Sequence, residues 1–581
     1  MLQEVSGMID AAGPAWTEGI VGDIWDQILT LCHPQAVGHI QLTCKLWKQQ
    51  CRLRLTQLEL PPQPITELQA LAAALPSIKQ LRFKYRGKHA PESYMQAPQM
   101  HILREFPLLT SLTIEGDLEL RPDEQKVLED LSGLQVLSLP AGHSLAQQLT
   151  EKRLPESLTS LSITGMILDA DWWNWQDMPD TLRSVHLGEI AIACNSNLTW
   201  LQQLSSIQIV SMQCSFPRWE VVDLYRSLDC LICAPNLRSV DLQIEYGENT
   251  VSVLRTLSKL TSLSALTLSK GWDNRDPQLG CCPGDWLLSL KSVSSLDLRD
   301  LTAPVCIAAV SMTWLSALSM FTQGHQFATA STLASLSHLT RMTSLTLQGA
   351  ALGNVQVTFL HSLADLAVCV LDASWQDLRT SEFHFKELRH GYQAMFGLNA
   401  LTSLSLSASF LLGPDPKLNA LALNTNLQCL EYYNLHLGSS YFIKTVEDLT
   451  RLTRLTLFGS QLPITLLGLS SLRWMKELVL YSEEVSHTNM GFVCSLRYLA
   501  LLRLRKIAFR DTVFSQSEKL DKLTSLTLSN CPLVTNNIFP FIARMVSLRE
   551  VVIVGCSNVN FSERVTELDD LRRLSIRSFS T

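Results

Sequence analysis

The chain has 581 residues, of which 46% are hydrophobic and 17% are charged, and its formal net charge at pH 7 is −7. An acidic balance without a basic stripe argues against a nucleic-acid-binding protein. The first residues lack the charged and apolar regions of a secretory signal, and no run of about 18 uncharged apolar residues predicts a membrane span. With 15 cysteines in no regular framework, these features favour a cytoplasmic or nuclear protein with free thiols and no membrane partner.

After a tail at residues 1–19, the segment 20–51 carries the pattern of two short amphipathic helices. Asp23 favours the start of the first helix, whose apolar face continues from Ile24 to Leu31, and a proline then separates it from a second apolar face. Two helices this short bury too little apolar surface to be stable alone, so we expect them to dock on another surface.

This segment resembles an F-box, whose pattern L-P-x-E-I…I-f…L-d-P-x-d-L…L-x-x-V-C-K-x-W it follows without a gap. The ending at residues 44–47, Cys-Lys-Leu-Trp, is the most specific part, whereas Val21 in place of the early proline and Cys32 in place of a leucine depart from the pattern. The resemblance implies binding to a Skp-type adaptor and, through it, to a cullin. The residues implied in adaptor contact are Ile20, Ile24, Ile28, Leu29, Leu31, Pro34, Val37, Ile40, Leu42 and Trp47.

The sequence of residues 20–51 also allows a second interpretation. Terminal units of repeat proteins need a polar cover, and the two helices could do no more than cap the end of the repeat core. The chain would then be a protein-binding scaffold or inhibitor that has no link to ubiquitin transfer.

From residue 52 onward the phrase L-x-x-L-x-L recurs roughly twenty-one times at intervals of about 22 to 35 residues. Regular copies begin at Leu401, Leu452 and Leu523. The alternation predicts a short strand with one buried face, and the residues between phrases return the chain to the next strand. The phrase is typical of leucine-rich repeats. Residues 52–581 are therefore predicted to form an α/β solenoid with one curved parallel sheet on its concave side.

The last full repeats resemble the cysteine-containing subclass of leucine-rich repeats. Cys531 and Cys556 each stand at the ninth position of their phrase, and the residues after Cys531 follow the pattern C-x-x-I/V-T-D in part. Elsewhere the ninth position holds other residues, such as Asp117 and Gly142.

The third, fifth and seventh positions of the phrase should face the concave side, and most of them are small and polar. Four adjacent repeats differ: Tyr433, Phe458 and Tyr481 share the seventh position, so strands about 4.8 Å apart would line up their rings. Aromatic and arginine side chains are common at interface hot spots, although stacking for stability alone is the alternative. The predicted substrate-binding residues are Glu431, Tyr433, Arg454, Phe458, Glu477, Tyr481, Arg503 and Arg505.

The sequence contains no motif that predicts catalysis. It has no glycine-rich phosphate loop and no nucleophile elbow, and Cys230 and Cys233 have no second ligand pair with the spacing of a zinc site. We therefore expect no enzymatic activity, metal or cofactor. Proteins that combine an F-box with leucine-rich repeats are substrate receptors of SCF-type ubiquitin ligases, so the resemblance implies that the repeats hold a protein substrate while partner subunits supply the chemistry.

Overall fold

The structure is a computed structural model in which two parts of the chain form separate compact units, residues 1–279 and 280–581. The residues that it describes are 57–60, 77–84, 100–115, 127–140, 154–164, 178–191, 206–215, 231, 234–244, 257–270, 284–299, 303–321, 334–348, 357–372, 398–407, 421, 423–435, 440–459, 462, 466–559 and 575–579.

The described part of the first unit contains nine strands, and each pairs in parallel with the next along the chain. These strands are β1 (Gln57–Leu60), β2 (Gln80–Lys84), β3 (Ser111–Glu115), β4 (Val136–Pro140), β5 (Ser160–Thr164), β6 (Ser184–Ala191), β7 (Ile209–Ser215), β8 (Ser239–Ile244) and β9 (Ala265–Lys270). A 3₁₀ helix at Met100–Glu105 precedes β3.

The described part of the second unit contains twelve strands with the same parallel order. They are β10 (Ser295–Arg299), β11 (Ala317–Phe321), β12 (Ser344–Gln348), β13 (Val368–Asp372), β14 (Ser403–Ser407), β15 (Cys429–Leu435), β16 (Arg454–Gly459), β17 (Glu477–Ser486), β18 (Leu501–Ile507), β19 (Ser525–Ser529), β20 (Glu550–Val554) and β21 (Ser575–Phe579).

Short helical segments return the chain between strands of the second unit. Its α-helices are α1 (Ala303–Val310), α2 (Ser440–Glu447) and α3 (Phe539–Ala543). Its 3₁₀ helices are Gly284–Ser289, Ser335–His338, Val357–Ser362, Leu467–Ser471, Val493–Ser495, Asp511–Phe514, Ser517–Lys519 and Asn536–Ile538.

The return segments are more often 3₁₀ than α-helical because of where their leucines lie. Leu466, Leu469 and Leu472 recur every three residues and are at most 1% exposed. A 3₁₀ helix has three residues per turn, so it places side chains at this interval on one face.

The core of each unit is a stack of leucine rows. In β16 the side chains of Leu455 and Leu457 are fully buried, whereas the alternating residues are at least partly exposed. The parallel register pairs Leu455 with Leu478 and Leu457 with Leu480 in β17. Each leucine thus contacts its equivalent in the next repeat, which confirms the predicted parallel leucine-rich-repeat sheet within each unit.

The cysteines at the ninth position of the last repeats bind backbone groups between repeats. The Cys531 thiol is fully buried and lies 3.7 Å from the Leu504 carbonyl oxygen and 3.5 Å from that of Ser529. The Cys531 N–H donates to Cys556 Sγ at 3.4 Å. These contacts give the two cysteines a structural role at the turn that follows each strand.

The F-box-like segment 20–51 lies outside the described residues, as does the tail at residues 1–19. The predicted adaptor contacts, from Ile20 to Trp47, therefore stay predictions.

We predict that Leu478→Ala lowers the free energy of unfolding by about 2–5 kcal/mol, because it leaves a cavity between two leucine rows. Val485→Ala on the same strand is the matched control, since Val485 is 46% exposed, and should change stability by no more than about 0.5 kcal/mol. Urea unfolding followed by circular dichroism measures both. Equal effects of the two substitutions would contradict the leucine-row core.

Candidate functional site

All eight predicted substrate-binding residues lie on the solvent-facing side of four neighbouring strands, β15 to β18. None of the eight is buried, and Arg454, Arg503 and Arg505 are the exposed ones. We call this set the strand strip, and its members are Glu431, Tyr433, Arg454, Phe458, Glu477, Tyr481, Arg503 and Arg505.

Three aromatic rings form the centre of the strand strip. The register pairs Tyr433 with Phe458 and Phe458 with Tyr481. The rings of Phe458 and Tyr481 stack with centroids 4.3 Å apart and an interplanar angle of 18°, whereas Tyr433 and Phe458 are 6.2 Å apart and tilted by 42°. The rings are thus contiguous on a solvent-facing surface.

Two arginines on β18 extend the aromatic row. The register places Arg505 beside Tyr481 and Arg503 beside Val479. The guanidinium carbon of Arg505 lies 4.3 Å from the Tyr481 ring centroid, which is a cation–π contact. Among the described residues, neither Arg503 nor Arg505 makes an ion pair within 4.0 Å. Both positive charges therefore remain available to an acidic group of a ligand.

An ion pair joins the first residues of β16 and β17, the two central strands of the strand strip. Arg454 Nε lies 2.7 Å from Glu477 Oε2, and Arg454 Nη2 lies 3.1 Å from Glu477 Oε1. This bidentate geometry fixes both side chains, and the hydrogen bond to Glu477 raises the pKa of Arg454. On the neighbouring strand, the Tyr433 hydroxyl donates to Glu431 Oε2 at 3.3 Å. Polar groups are thus held in place beside the rings.

Small hydroxyl side chains border the strand strip on both sides. The register places Ser405 of β14 beside Glu431, and it places Thr527 and Ser529 of β19 beside Arg503 and Arg505. The strand strip therefore differs in surface chemistry from the strands on either side of it, whose solvent-facing side chains are small and polar.

Three thiols of this unit, those of Cys306, Cys369 and Cys429, are poor nucleophiles at neutral pH. Burial raises the pKa of Cys306 and of Cys369 to about 12. Cys429 begins β15, and burial raises its pKa by more than the Ser403 hydrogen bond lowers it. A protonated thiol attacks carbonyl groups and disulfides poorly.

Two general features bear on the chemistry of the described residues. Within them, no group of three or more His, Cys, Asp or Glu side chains is arranged to hold a metal ion. None of the helices in the described ranges has the length and apolar character that crossing a membrane requires.

One pair of surface residues was missed by reasoning on the strand positions alone. Trp474 and Tyr498 lie in the turns that precede β17 and β18, and their rings stack with centroids 5.0 Å apart. Both are exposed, at 56% and 46%. Both rings stand directly before the first residue of the repeated phrase, a position that holds a small polar residue in other repeats, such as Ser262 and Asn426. An aromatic residue at this position is the sequence signal that could have identified them.

The comparisons with known proteins add little to this picture. No model of a known protein family matches the chain, and comparison with curated proteins finds no match. One matching solved structure is a leucine-rich-repeat protein of Leptospira interrogans, at 12% identity and a TM-score of 0.29, covering 90% of this chain and 100% of that chain. Another is TLR13 in its complex with ssRNA13, at 15% identity and a TM-score of 0.29, covering 86% of this chain and 61% of that one.

The leucine-rich-repeat architecture of this chain rests on its own sequence phrase and on the parallel strand register in each unit. Neither of the two solved structures has a TM-score high enough to carry an argument about a ligand.

We predict that the ion pair of the strand strip contributes little to stability. Arg454→Gln and Glu477→Gln should each lower the free energy of unfolding by less than about 1 kcal/mol, because solvent screens an exposed pair. Urea unfolding at low and high salt measures this, and salt should reduce even that small effect. A loss of several kcal/mol would make the pair a structural element and remove it from the candidate site.

Proposed function

We propose that this chain is a binding protein without enzymatic activity that holds a protein ligand on the strand strip. The observation that carries the proposal is the row of adjoining rings, Tyr433, Phe458 and Tyr481, set between fixed polar groups on a solvent-facing sheet. The alternative, in which rings aligned across strands only stabilise the sheet, predicts that their removal leaves ligand affinity unchanged.

The chemistry of the strand strip suits a peptide or protein surface. Aromatic and arginine side chains supply most of the binding energy at many protein interfaces. The strip residues are held by parallel strands, by the bidentate pair of Arg454 with Glu477 and by the contact of Arg505 with Tyr481. Because these side chains are already ordered, a ligand loses less side-chain entropy on binding.

We further propose that the ligand is a substrate for ubiquitin transfer. The support is the resemblance of residues 20–51 to an F-box, with Cys44, Lys45 and Trp47 in its most specific part. In this proposal the segment binds a Skp-type adaptor, which links the chain to a cullin-based ligase. Holding a substrate lysine close to the ubiquitin-charged enzyme raises its effective concentration and so accelerates transfer.

We expect the substitution of all three rings, Tyr433→Ala, Phe458→Ala and Tyr481→Ala, to weaken ligand binding by several kcal/mol. The fold should persist because none of the three is part of the buried leucine rows. Ligand proteins recovered by affinity purification are quantified by mass spectrometry, and the Kd of each is then measured by calorimetry with the purified proteins.

The matched control replaces Ser525, Thr527 and Ser529 of β19 with alanine, on the same face of the sheet. This variant should bind the ligand as the unaltered chain does. Full affinity of the ring variant for a ligand whose binding to the chain has been established would mean that the rings only stabilise the sheet.

Deletion of residues 20–51 should abolish co-purification of a Skp-type adaptor, whereas deletion of residues 1–19 should leave it intact. The point variant Trp47→Ala gives a finer test, since loss of a fully packed tryptophan costs about 3–5 kcal/mol. The readout is pull-down with purified adaptor, followed by reconstituted ubiquitination of the ligand.

Undiminished adaptor binding by the chain that lacks residues 20–51 would reject the F-box proposal. If the full chain binds the ligand but no adaptor, the result would favour the alternative function. The chain would then be a scaffold or inhibitor whose helical segment only caps the repeats.

A further inference from the structure

The turns before the strands carry two rows of side-chain hydrogen bonds that join successive repeats. In the first row, the residue directly before a strand donates its hydroxyl to a carbonyl of the previous repeat. The Thr343 hydroxyl donates to the Ser316 carbonyl at 3.0 Å, and the Thr453 hydroxyl donates to the Gln428 carbonyl at 3.1 Å. These bonds use carbonyl groups at the edge of the sheet as acceptors.

In the second row, the donor stands two residues earlier in the turn. Ser157 donates to the Leu134 carbonyl at 2.6 Å and Ser262 to that of Leu237 at 2.8 Å. In the turn before β11 a ring occupies this position and still donates: Trp314 Nε1 donates to the Leu290 carbonyl of the previous repeat at 3.2 Å.

Both rows are interrupted in the repeats of β17 and β18, as they also are before β4 and β13, where Gly133 with Gln135 and Asp365 with Ala367 hold these positions. Lys476 and Ala500 replace the hydroxyl residue before the strand, and Trp474 and Tyr498 replace the donor two residues earlier. Within the described part of the chain, neither ring donates a side-chain hydrogen bond. The repeats of β17 and β18 differ from those of β4 and β13 because a pair of exposed, stacked rings stands at the second position.

Positive charges surround the two rings. Each of the following is exposed and makes no ion pair among the described residues: Arg451, Arg473, Lys476 and Arg497. In the turn of the next repeat, Asp521 pairs with Lys522 at 3.4 Å. In the turn of the preceding repeat, Asp448 is the exposed acidic side chain. Glu447 and Glu518 lie in the return segments of the neighbouring repeats, so the charge around the rings is positive, though less so than the four cations alone suggest, in a chain whose net charge is negative.

We propose that these turns form a second docking surface, for an acidic segment of a partner protein that carries apolar or aromatic side chains. We call this surface the turn patch, and it consists of Arg451, Arg473, Trp474, Lys476, Arg497 and Tyr498. The exposed ring pair supplies apolar contact area, and four cations that form no ion pair among the described residues complement carboxylates of the segment. One of them, Arg451, also donates to Asn426 Oδ1 at 2.6 Å. The turn patch precedes the strands and adjoins the Arg454–Glu477 pair at their start, whereas the aromatic row of the strand strip lies near their carboxyl ends, so the two sets of rings lie at opposite ends of the strands.

The test uses the full chain and fluorescein-labelled poly(Glu,Tyr), a copolymer with acidic and aromatic side chains, in fluorescence anisotropy titrations. The chain should bind this probe more tightly than poly(Glu), and added salt should weaken binding. Trp474→Ala with Tyr498→Ala should weaken binding at least about tenfold. Arg473→Glu with Arg497→Glu should weaken it as well, and thermal melting checks that both variants remain folded.

Two matched controls lie at turns of other repeats. Val546→Ala removes an apolar side chain that is 67% exposed in the turn before β20. Arg341→Glu reverses an exposed charge in the turn before β12. Both should bind poly(Glu,Tyr) as the unaltered chain does.

Four outcomes would overturn the turn patch. The first three are no binding of poly(Glu,Tyr) by the unaltered chain, equal binding by the ring variant, and tighter binding of poly(U) RNA with the same dependence on Trp474 and Tyr498. Loss of probe binding on alanine substitution of Tyr433, Phe458 and Tyr481 would instead place the acidic polymer on the strand strip. That last result would overturn the turn patch and leave the proposed function standing.

Discussion

The stacking of leucines between parallel strands is the interaction on which the rest of the molecule depends. One repeat offers a strand of five or so residues with two inward leucines, which cannot form a core by itself. In register with its neighbours, each leucine is covered on both sides, as Leu455 and Leu478 are. Burial of each such side chain contributes about 1.5–3 kcal/mol. The inward positions are therefore fixed, and the outward positions are free to vary.

This freedom explains why the two candidate surfaces lie where they do. The strand strip uses outward positions of β15 to β18, and the turn patch uses turn positions of the same region, so neither disturbs a leucine row. Parallel pairing brings equivalent positions of successive repeats side by side. A row of rings then arises from one aromatic residue per repeat, as Phe458 and Tyr481 show, and a charged pair arises in the same way from Arg454 and Glu477.

The sequence predicts the strands, their parallel order and the membership of the strand strip, because the phrase fixes which side chains alternate. It does not predict that Phe458 stacks on Tyr481 while Tyr433 tilts, since ring rotation depends on local packing and on a register shift after Tyr433. The 3₁₀ character of most return segments follows from leucines three residues apart, which a general helical pattern does not separate from an α-helix. Trp474 and Tyr498 were missed because the turns were treated as connections between phrases. The F-box interpretation is supported by sequence resemblance alone, because residues 20–51 lie outside the described part of the chain.

The strand register that aligns the leucine rows also limits which insertions and deletions such a chain can tolerate in evolution. Gain or loss of one complete repeat within a unit leaves every row continuous, because the strands on either side of the change present equivalent residues to each other. An insertion of a single residue inside a phrase turns the following leucines toward solvent and breaks the rows. Rearrangement by whole repeats can therefore bring an aromatic repeat next to a new neighbour, so binding surfaces of new composition arise while the interior stays intact.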